Sequence, residues 1–306
     1  MQSTVLAPFT ARDGENLALY EWPLDAWAHE MGHYAPPPRA IVLLVHGLGE
    51  HAGRYDHVAH QLMEWGFAVR AYDQRGHGES GGARGVLPNE TALLDDLAEV
   101  VDDTRLRGMR LLEAAYADRQ PPEQLPLVLL GHSMGGLVVS RFVSLNIRPI
   151  EGLVMSSPAL DPGLGALQKL LLAFMPKLAP DLCVGNGLDA RYISHDEEVV
   201  KKYFADRQVH DRISPRLGKF IATAGPAIVA AAAQWRTPTL LMYAGADKLV
   251  NPAGSRAFAE NAANSPAVKV GTVTARCFEG LYHEIFNESE SEPVFDTLKA
   301  WLDARF

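Results

Sequence analysis

Residues 125–146, LPLVLLGHSMGGLVVSRFVSLN, decide the fold. Leu125 to Leu130 is a short, wholly apolar run of the kind that forms a buried strand, and residues 136–146 carry apolar side chains at helical spacing. Between them stands Gly131-His132-Ser133-Met134-Gly135. Strand, Gly-x-Ser-x-Gly, helix is the context of a nucleophile elbow, in which the serine sits on a sharp, strained turn with its hydroxyl exposed at the carboxyl edge of a sheet. Glycines two residues before and after leave room for that turn, because a Cβ at either place would strike neighbouring backbone.

Outward from the elbow, strands and helices alternate. Ile41–Val45 is an apolar, β-branched run expected as a buried strand, followed by a helix over Tyr55–Trp65 and a strand over Phe67–Tyr72. A long helix over 93–117 places Leu93, Leu97, Val100, Val101, Thr104, Leu111 and Ala115 on one face. Beyond the elbow come a strand at Leu153–Ser156, a strand at Thr239–Tyr243, a helix over 252–264, a strand over 268–278 and a closing helix over Pro293–Arg305. Two antiparallel strands, Val5–Thr10 and Ala18–Trp22, turn at Asp13-Gly14, and a looser segment through Tyr34–Pro38 leads to Ile41. Alternation of this kind specifies an α/β fold: a mostly parallel central sheet flanked by helices.

Residues 161–235 break the alternation. They hold no convincing strand and several helical patches, with Leu164, Leu167, Leu171, Phe174 and Leu178 at helical spacing and Leu170, Leu172 and Met175 widening the apolar face. Gly225–Trp235 is rich in alanine and suits close helix packing. The expected organisation is a core of residues 1–160 and 236–306 with a helical cap over 161–235. The cap's apolar face is expected to meet substrate, or a membrane transiently.

Composition narrows the function. The chain has 306 residues, 47% of them hydrophobic, and 28 basic against 37 acidic side chains give a net charge of −9. An acidic protein without a basic stripe is not expected to bind nucleic acid. The start, MQSTVLAPFTARDG, lacks a basic segment followed by an apolar core, so no signal peptide is expected, and no run reads as a membrane span. Cys183 and Cys277 are too few for a disulfide framework. These features suit a cytoplasmic protein, or one peripheral at a membrane.

A serine nucleophile needs a base, and the base an orienting acid, in the chain order serine, acid, histidine for this kind of elbow. Asp247, in GADKLV just past the strand TLLMY, fits the acid, and Asp161 is its competitor. His283, in EGLYHEIFNE after the last strand, fits the base; His195 and His210 lie in charged stretches of the cap and read as solvated. The oxyanion of a tetrahedral intermediate needs two N–H donors. The N–H of Met134, opening the elbow helix, and that of Leu48, in the glycine-flanked loop His46-Gly47-Leu48-Gly49-Glu50, fit that need. His46 and His77 read as turn-stabilising residues. Scattered histidines without H-E-x-x-H, and glycines that do not follow G-x-G-x-x-G, predict neither a metal site nor a cofactor.

Taken together, HGLGEHAGRY (46–55), DQRGHGES (73–80), GHSMGG (131–136), SSPAL (156–160), GADKLV (245–250) and EGLYHEIFNE (279–288) resemble the monoacylglycerol lipase and lysophospholipase branch of the α/β-hydrolases. The resemblance implies an α/β-hydrolase fold and a Ser133–Asp247–His283 triad with an oxyanion hole from Leu48 and Met134. It also implies Glu50 and Arg54 near the polar head of the substrate, or as a salt bridge anchoring their loop. The activity it implies is hydrolysis of monoacylglycerols to fatty acid and glycerol through an acyl-enzyme. A lysophospholipase or broad carboxylesterase is the alternative, and a serine aminopeptidase a further one that would need cap carboxylates such as Asp196, Glu197 and Glu198 to hold an ammonium group. The expected partner is a small lipid ester.

Overall fold

The computed structural model describes residues 4–5, 9–22, 24, 37–115, 123–163 and 165–306. Its centre is β5 (Ile41–Val45), flanked on one side by β6 (Ala68–Tyr72) and on the other by β7 (Leu127–His132), β8 (Gly152–Ser156), β11 (Thr239–Ala244) and β12 (Val273–Phe278), all parallel. Beyond β6 the sheet continues antiparallel through β4 (Leu19–Trp22) to β1 (Thr4–Val5), giving eight strands among the described residues. Short β2 (Phe9–Thr10) and β3 (Asn16–Leu17) pair antiparallel across the expected turn at Asp13-Gly14. Of the N-terminal strand expected over Val5–Thr10, residues 6–8 lie outside the described residues, as do 34–36 of the segment before β5, 116–117 of the long helix and Leu164 of the cap.

The continuous apolar runs make sense because both faces of the sheet are covered. Along β5, Ile41, Leu43 and Val45 join one core and Val42 and Leu44 the other, as the two-residue period of a strand requires. The second core is closed by α1 (Asp56–Glu64) and α8 (Glu292–Asp303) through Val58, Leu62, Leu298 and Trp301. The first is closed by α2 (Ala92–Ala115) and α3 (Met134–Ser144), with Leu93, Leu97, Val100 and Val101 of α2 buried as the periodicity predicts. Each large apolar side chain so buried contributes about 1.5–3 kcal/mol.

The main departures from the expected boundaries have local causes. The strand before the elbow starts at Leu127, because Pro126 offers only its carbonyl, which accepts from Ile41 N. The last strand begins at Val273 rather than 268, since residues 265–272 are spent on turns such as Thr272 N to Lys269 O. The helix expected over Tyr55–Trp65 divides into a 3₁₀ turn, Ala52–Tyr55, and α1.

Between β8 and β11 the chain forms α4 (Ala166–Leu178), α5 (Glu197–Ala205) and α6 (Pro215–Ala231). It also forms a two-residue ladder that sequence periodicity is too short to signal: β9 (Val184–Gly185) with β10 (Arg212–Ile213). Residues 215–234 are long and apolar enough to span a membrane, against the sequence expectation. Their apolarity has another destination: Leu217, Phe220, Ile221, Ala224 and Ile228 enter the first core, where α6 packs on α3 and on α7 (Pro252–Ala263).

Candidate active site

β7 ends at His132 and α3 begins at Met134, leaving Ser133 alone in the turn with φ 52° and ψ −118°. Positive φ is costly for a residue with a side chain. Here the surroundings impose it. Ser133 N donates to Ser156 O at 2.9 Å, and Ser133 O accepts from Leu137 N and Ala159 N, each at 3.0 Å. A Cβ on Gly131 would strike the Gly135 backbone, and one on Gly135 the carbonyls of Val45 and His46.

His283, on the loop after β12, donates from Nδ1 to Asp247 Oδ2 at 2.7 Å, and both side chains are buried. With its Nδ1 proton committed to a carboxylate, the neutral ring carries its free lone pair on Nε2. Asp247 Oδ1 accepts from Leu249 N at 2.8 Å and Val250 N at 3.0 Å, which fixes the carboxylate's orientation. Burial pushes the His283 imidazolium toward deprotonation, but Asp247, with Glu284 and Glu50 behind it, outweighs burial and leaves its pKa above the ordinary histidine value. Asp247 resists burial in the same way: His283 and the two backbone N–H groups hold it below the usual carboxylate range. The neighbouring His132, 4.7 Å away between ring centroids, is held down to about 4 by burial and by His283, so it stays neutral. Asp161 is committed elsewhere, accepting from Asn251 Nδ2 at 2.7 Å and Gly163 N at 2.9 Å.

Ser133 and His283 line one cavity of about 500 Å³ together with Leu48, Glu50 and Glu284 and with residues between 186 and 211, apolar ones such as Leu188, Ile193 and Phe204 beside polar ones such as Asp189 and Asp206. Met134 is buried beneath, its N–H in the first turn of α3, where no intrahelical acceptor exists. The loop that carries Leu48 is held by Glu50, whose Oε1 accepts from Gly47 N at 2.5 Å and from Tyr55 Oη at 2.7 Å.

Glu50 and Arg54 take different places. Glu50 reaches the cavity wall; Arg54 does not, being spent on two carboxylates. Its Nη1 and Nη2 hold Glu284 in a fork at 2.7 Å each, Nη1 also meets Glu50 Oε2 at 2.5 Å, and the Tyr203 ring of α5 covers the guanidinium at 4.8 Å. Burial opposes the Glu50 charge, yet Arg54 and two histidines hold its pKa at about 2. Arg54 therefore knits the Leu48 loop, the His283 loop and the cap together. Glu284 and Tyr203 were not singled out by sequence reasoning. Glu284 lies inside the quoted EGLYHEIFNE, whereas nothing local marks Tyr203.

His195 is exposed, as the sequence suggested, but it also has partners on the protein, while His210 is half-buried. His195 bonds Glu288 at 2.8 Å and stacks on Tyr282. His210 donates from Nε2 to Gly76 O at 3.1 Å and lies 4.7 Å from His77, and burial, with Arg84, holds its pKa at about 4. His46 has the structural role expected: Nδ1 donates to Gly47 O and Nε2 accepts from Gln74 N, both at 2.8 Å.

The model of the family described as serine aminopeptidase, S33, matches residues 36–290. The chain belongs to this family. It is a serine hydrolase of α/β-hydrolase fold, of the lipase and esterase kind, similar to monoacylglycerol lipases. It is 36% identical over 268 residues to the monoacylglycerol lipase of Mycolicibacterium smegmatis, an alignment covering 87% of this chain and 88% of the relative. It is 32% identical to phospholipase YtpA of Bacillus subtilis, over 88% of this chain and 97% of the relative. Among solved structures, the monoacylglycerol lipase of Paleococcus ferrophilus superposes with a TM-score of 0.74 at 33% identity, covering 89% of this S33 hydrolase and 97% of that chain.

Proposed function

We propose that this hydrolase cleaves monoacylglycerols to fatty acid and glycerol, with Ser133 as nucleophile, His283 as general base and Asp247 as the acid that orients it. The observation that carries the reading is the cavity itself: Ser133 and His283 line it together with residues 186–211, among which Leu188, Ala190, Ile193, Phe204 and Val209 are apolar and Asn186, Asp189, Asp206, His210 and Asp211 polar. Ser133 Oγ attacks the ester carbonyl while His283 Nε2 takes its proton, and the N–H groups of Leu48 and Met134 receive the oxyanion. The tetrahedral intermediate collapses, glycerol leaves with the proton from His283, and the acyl group stays on Ser133. Water, deprotonated by His283, then attacks the acyl carbon, releases the fatty acid and restores Ser133.

Residues 161–235 serve as the cap in this reading, and the exposed side chains Leu170, Leu171, Phe174 and Leu178 offer a surface for transient contact with a lipid aggregate. The aminopeptidase alternative finds little support in the three cap carboxylates that the sequence offered for it. Asp196 caps α5 by accepting from Glu198 N, Glu198 pairs with Lys201, and neither they nor Glu197 line the cavity. Five carboxylates do line the cavity, and each already has a partner: Glu50 and Glu284 meet Arg54, Asp189 meets Arg191, Asp206 meets His51 and Asp211 meets Arg212.

Glycerol release from C12 monoacylglycerol, with Ser133→Ala purified in parallel, tests the proposal. Turnover in the native enzyme that falls to background in the variant supports it. Labelling of Ser133 by a fluorophosphonate probe without glycerol release would move the head group toward lysophospholipids.

A further inference from the structure

The loop that carries His283 is tied to the cap on both sides of the histidine. Glu284 N donates to Ile193 O at 2.8 Å. On the other side, Tyr282 N donates to Glu288 Oε1 at 2.5 Å, and the same carboxylate reaches the cap. Its Oε1 accepts from His195 Nδ1 at 2.8 Å, and its Oε2 from His195 N at 2.9 Å, with Ser194 Oγ at 3.2 Å. The His195 ring lies on the Tyr282 ring with centroids 3.6 Å apart and planes 18° from parallel.

The Glu288 side chain is 2% exposed. A buried carboxylate costs several kcal/mol unless its lone pairs are satisfied, and a loop could do that with its own N–H groups. Glu288 draws its donors from two segments instead, the residue before His283 and cap residues 93 and 94 positions earlier in the chain. Among the described residues, no arginine or lysine pairs with it. The clamp therefore holds only while the cap segment 193–195 and the His283 loop keep one relative placement.

We propose that Glu288 is a positioning residue for the ester hydrolysis, with His195 as its partner on the cap: together they set the imidazole of His283 through the cap rather than through the sheet alone. This rests on the reading of His283 as general base. On it, the cap acts on the chemical step as well as on substrate binding.

The test compares Glu288→Gln with the native enzyme on p-nitrophenyl acetate, whose short acyl group makes little use of the cap, and on C12 monoacylglycerol, with thermal unfolding followed alongside. The substitution turns an NH₂ group toward donors. The expected result is a kcat for the acetate lower by about tenfold or more, at a KM changed by less than about twofold and with the unfolding transition intact. His195→Ala, at a half-exposed site, lowers the same kcat by about threefold, and His195→Asn, whose amide donates where Nδ1 did, restores most of it. An unchanged kcat for the acetate in Glu288→Gln and His195→Ala, with only the KM for the long-chain ester raised, would confine these residues to cap binding and overturn the proposal. Equal losses in His195→Ala and His195→Asn would overturn it too, and that pair decides the matter if Glu288→Gln does not fold. His283→Ala is the separate control: native rates in that variant would remove the base reading itself.

Discussion

Two segments of the proposed cap, 165–189 and 190–214, are built from opposite materials. Residues 190–214 are fastened to the core by polar contacts: Asp206 to His51 at 2.8 Å, His210 N to Gly49 O at 2.8 Å, Ser214 N to Gly85 O at 2.9 Å, and the Glu288 clamp at 194–195. Residues 165–189 are attached sparsely, as by Cys183 Sγ to Arg84 O, and leave Leu170, Leu171, Phe174, Leu178, Leu182 and Val184 exposed, Leu178 at 79%. Hydrogen bonds fix direction and distance, whereas apolar contact is non-directional and adapts to whatever covers it. The fastened part meets both loops that border Ser133, where placement matters. In the proposed function the exposed apolar part is the one that meets a lipid surface.

The sharpest way to break the fastened part is Arg54→Met. It leaves Glu50 and Glu284, with 5% and 6% exposed side chains, unpaired in the interior, and removes the seat of Tyr203. Removing one partner of a buried ion pair costs about 3–5 kcal/mol, so denaturant unfolding should show a loss of that size. A loss near that of a surface pair, about 1 kcal/mol or less, would mean that the network is not what ties the loops together.

Striking the apolar part should change binding and spare the fold. Phe174→Asp combined with Leu171→Asp alters side chains that are 59% and 51% exposed. We expect the KM for aggregated C12 monoacylglycerol to rise about tenfold, while kinetics on p-nitrophenyl acetate and the unfolding midpoint stay near native. Equal losses on both substrates would erase the distinction between the two parts.

The mildest probe is pH. In the proposed role of general base His283 must be neutral, and Asp247 raises its pKa above 6.5 against burial. Activity is therefore lost as pH falls through that raised value, and kcat/KM should bend at a pH above the ordinary histidine midpoint. Glu284→Gln removes one of the charges that raise it, so the bend should move to lower pH. A flat profile from pH 5 to 8 counts against His283 as the base.

Much of this was legible in the chain, and the gaps are physical. Buried parallel strands such as β5 and β7 read directly because both faces are covered. The edge strand β12, mostly exposed along its length, carries no such run, and its start was placed five residues early. Ser133, Asp247 and His283 stand out in the sequence because each follows a strand; the structure bonds His283 to Asp247 and gives His283 and Ser133 one cavity, and their roles belong to the proposed function. Asp161 competes with Asp247 in the sequence, and it is the pairing with Asn251 in the fold that separates them. Glu288 and Glu284 could not be assigned, since their partners lie 93 and 230 positions away and a buried acid looks like any other in a sequence. For the same reason the sequence gives His195 its solvent exposure but not its bond to Glu288, and it misses the half-buried place of His210 against Gly76 O.

The central claim, a long-chain monoacylglycerol as substrate, is tested most directly by kcat/KM across a series of monoacylglycerols from acetyl to C16. A buried methylene is worth about 0.8 kcal/mol, or about fourfold, so specificity should climb steeply with chain length over the acyl chains the cap can cover. Acetylglycerol cleaved better than the C8–C16 members would contradict the account and leave a short-chain esterase in its place.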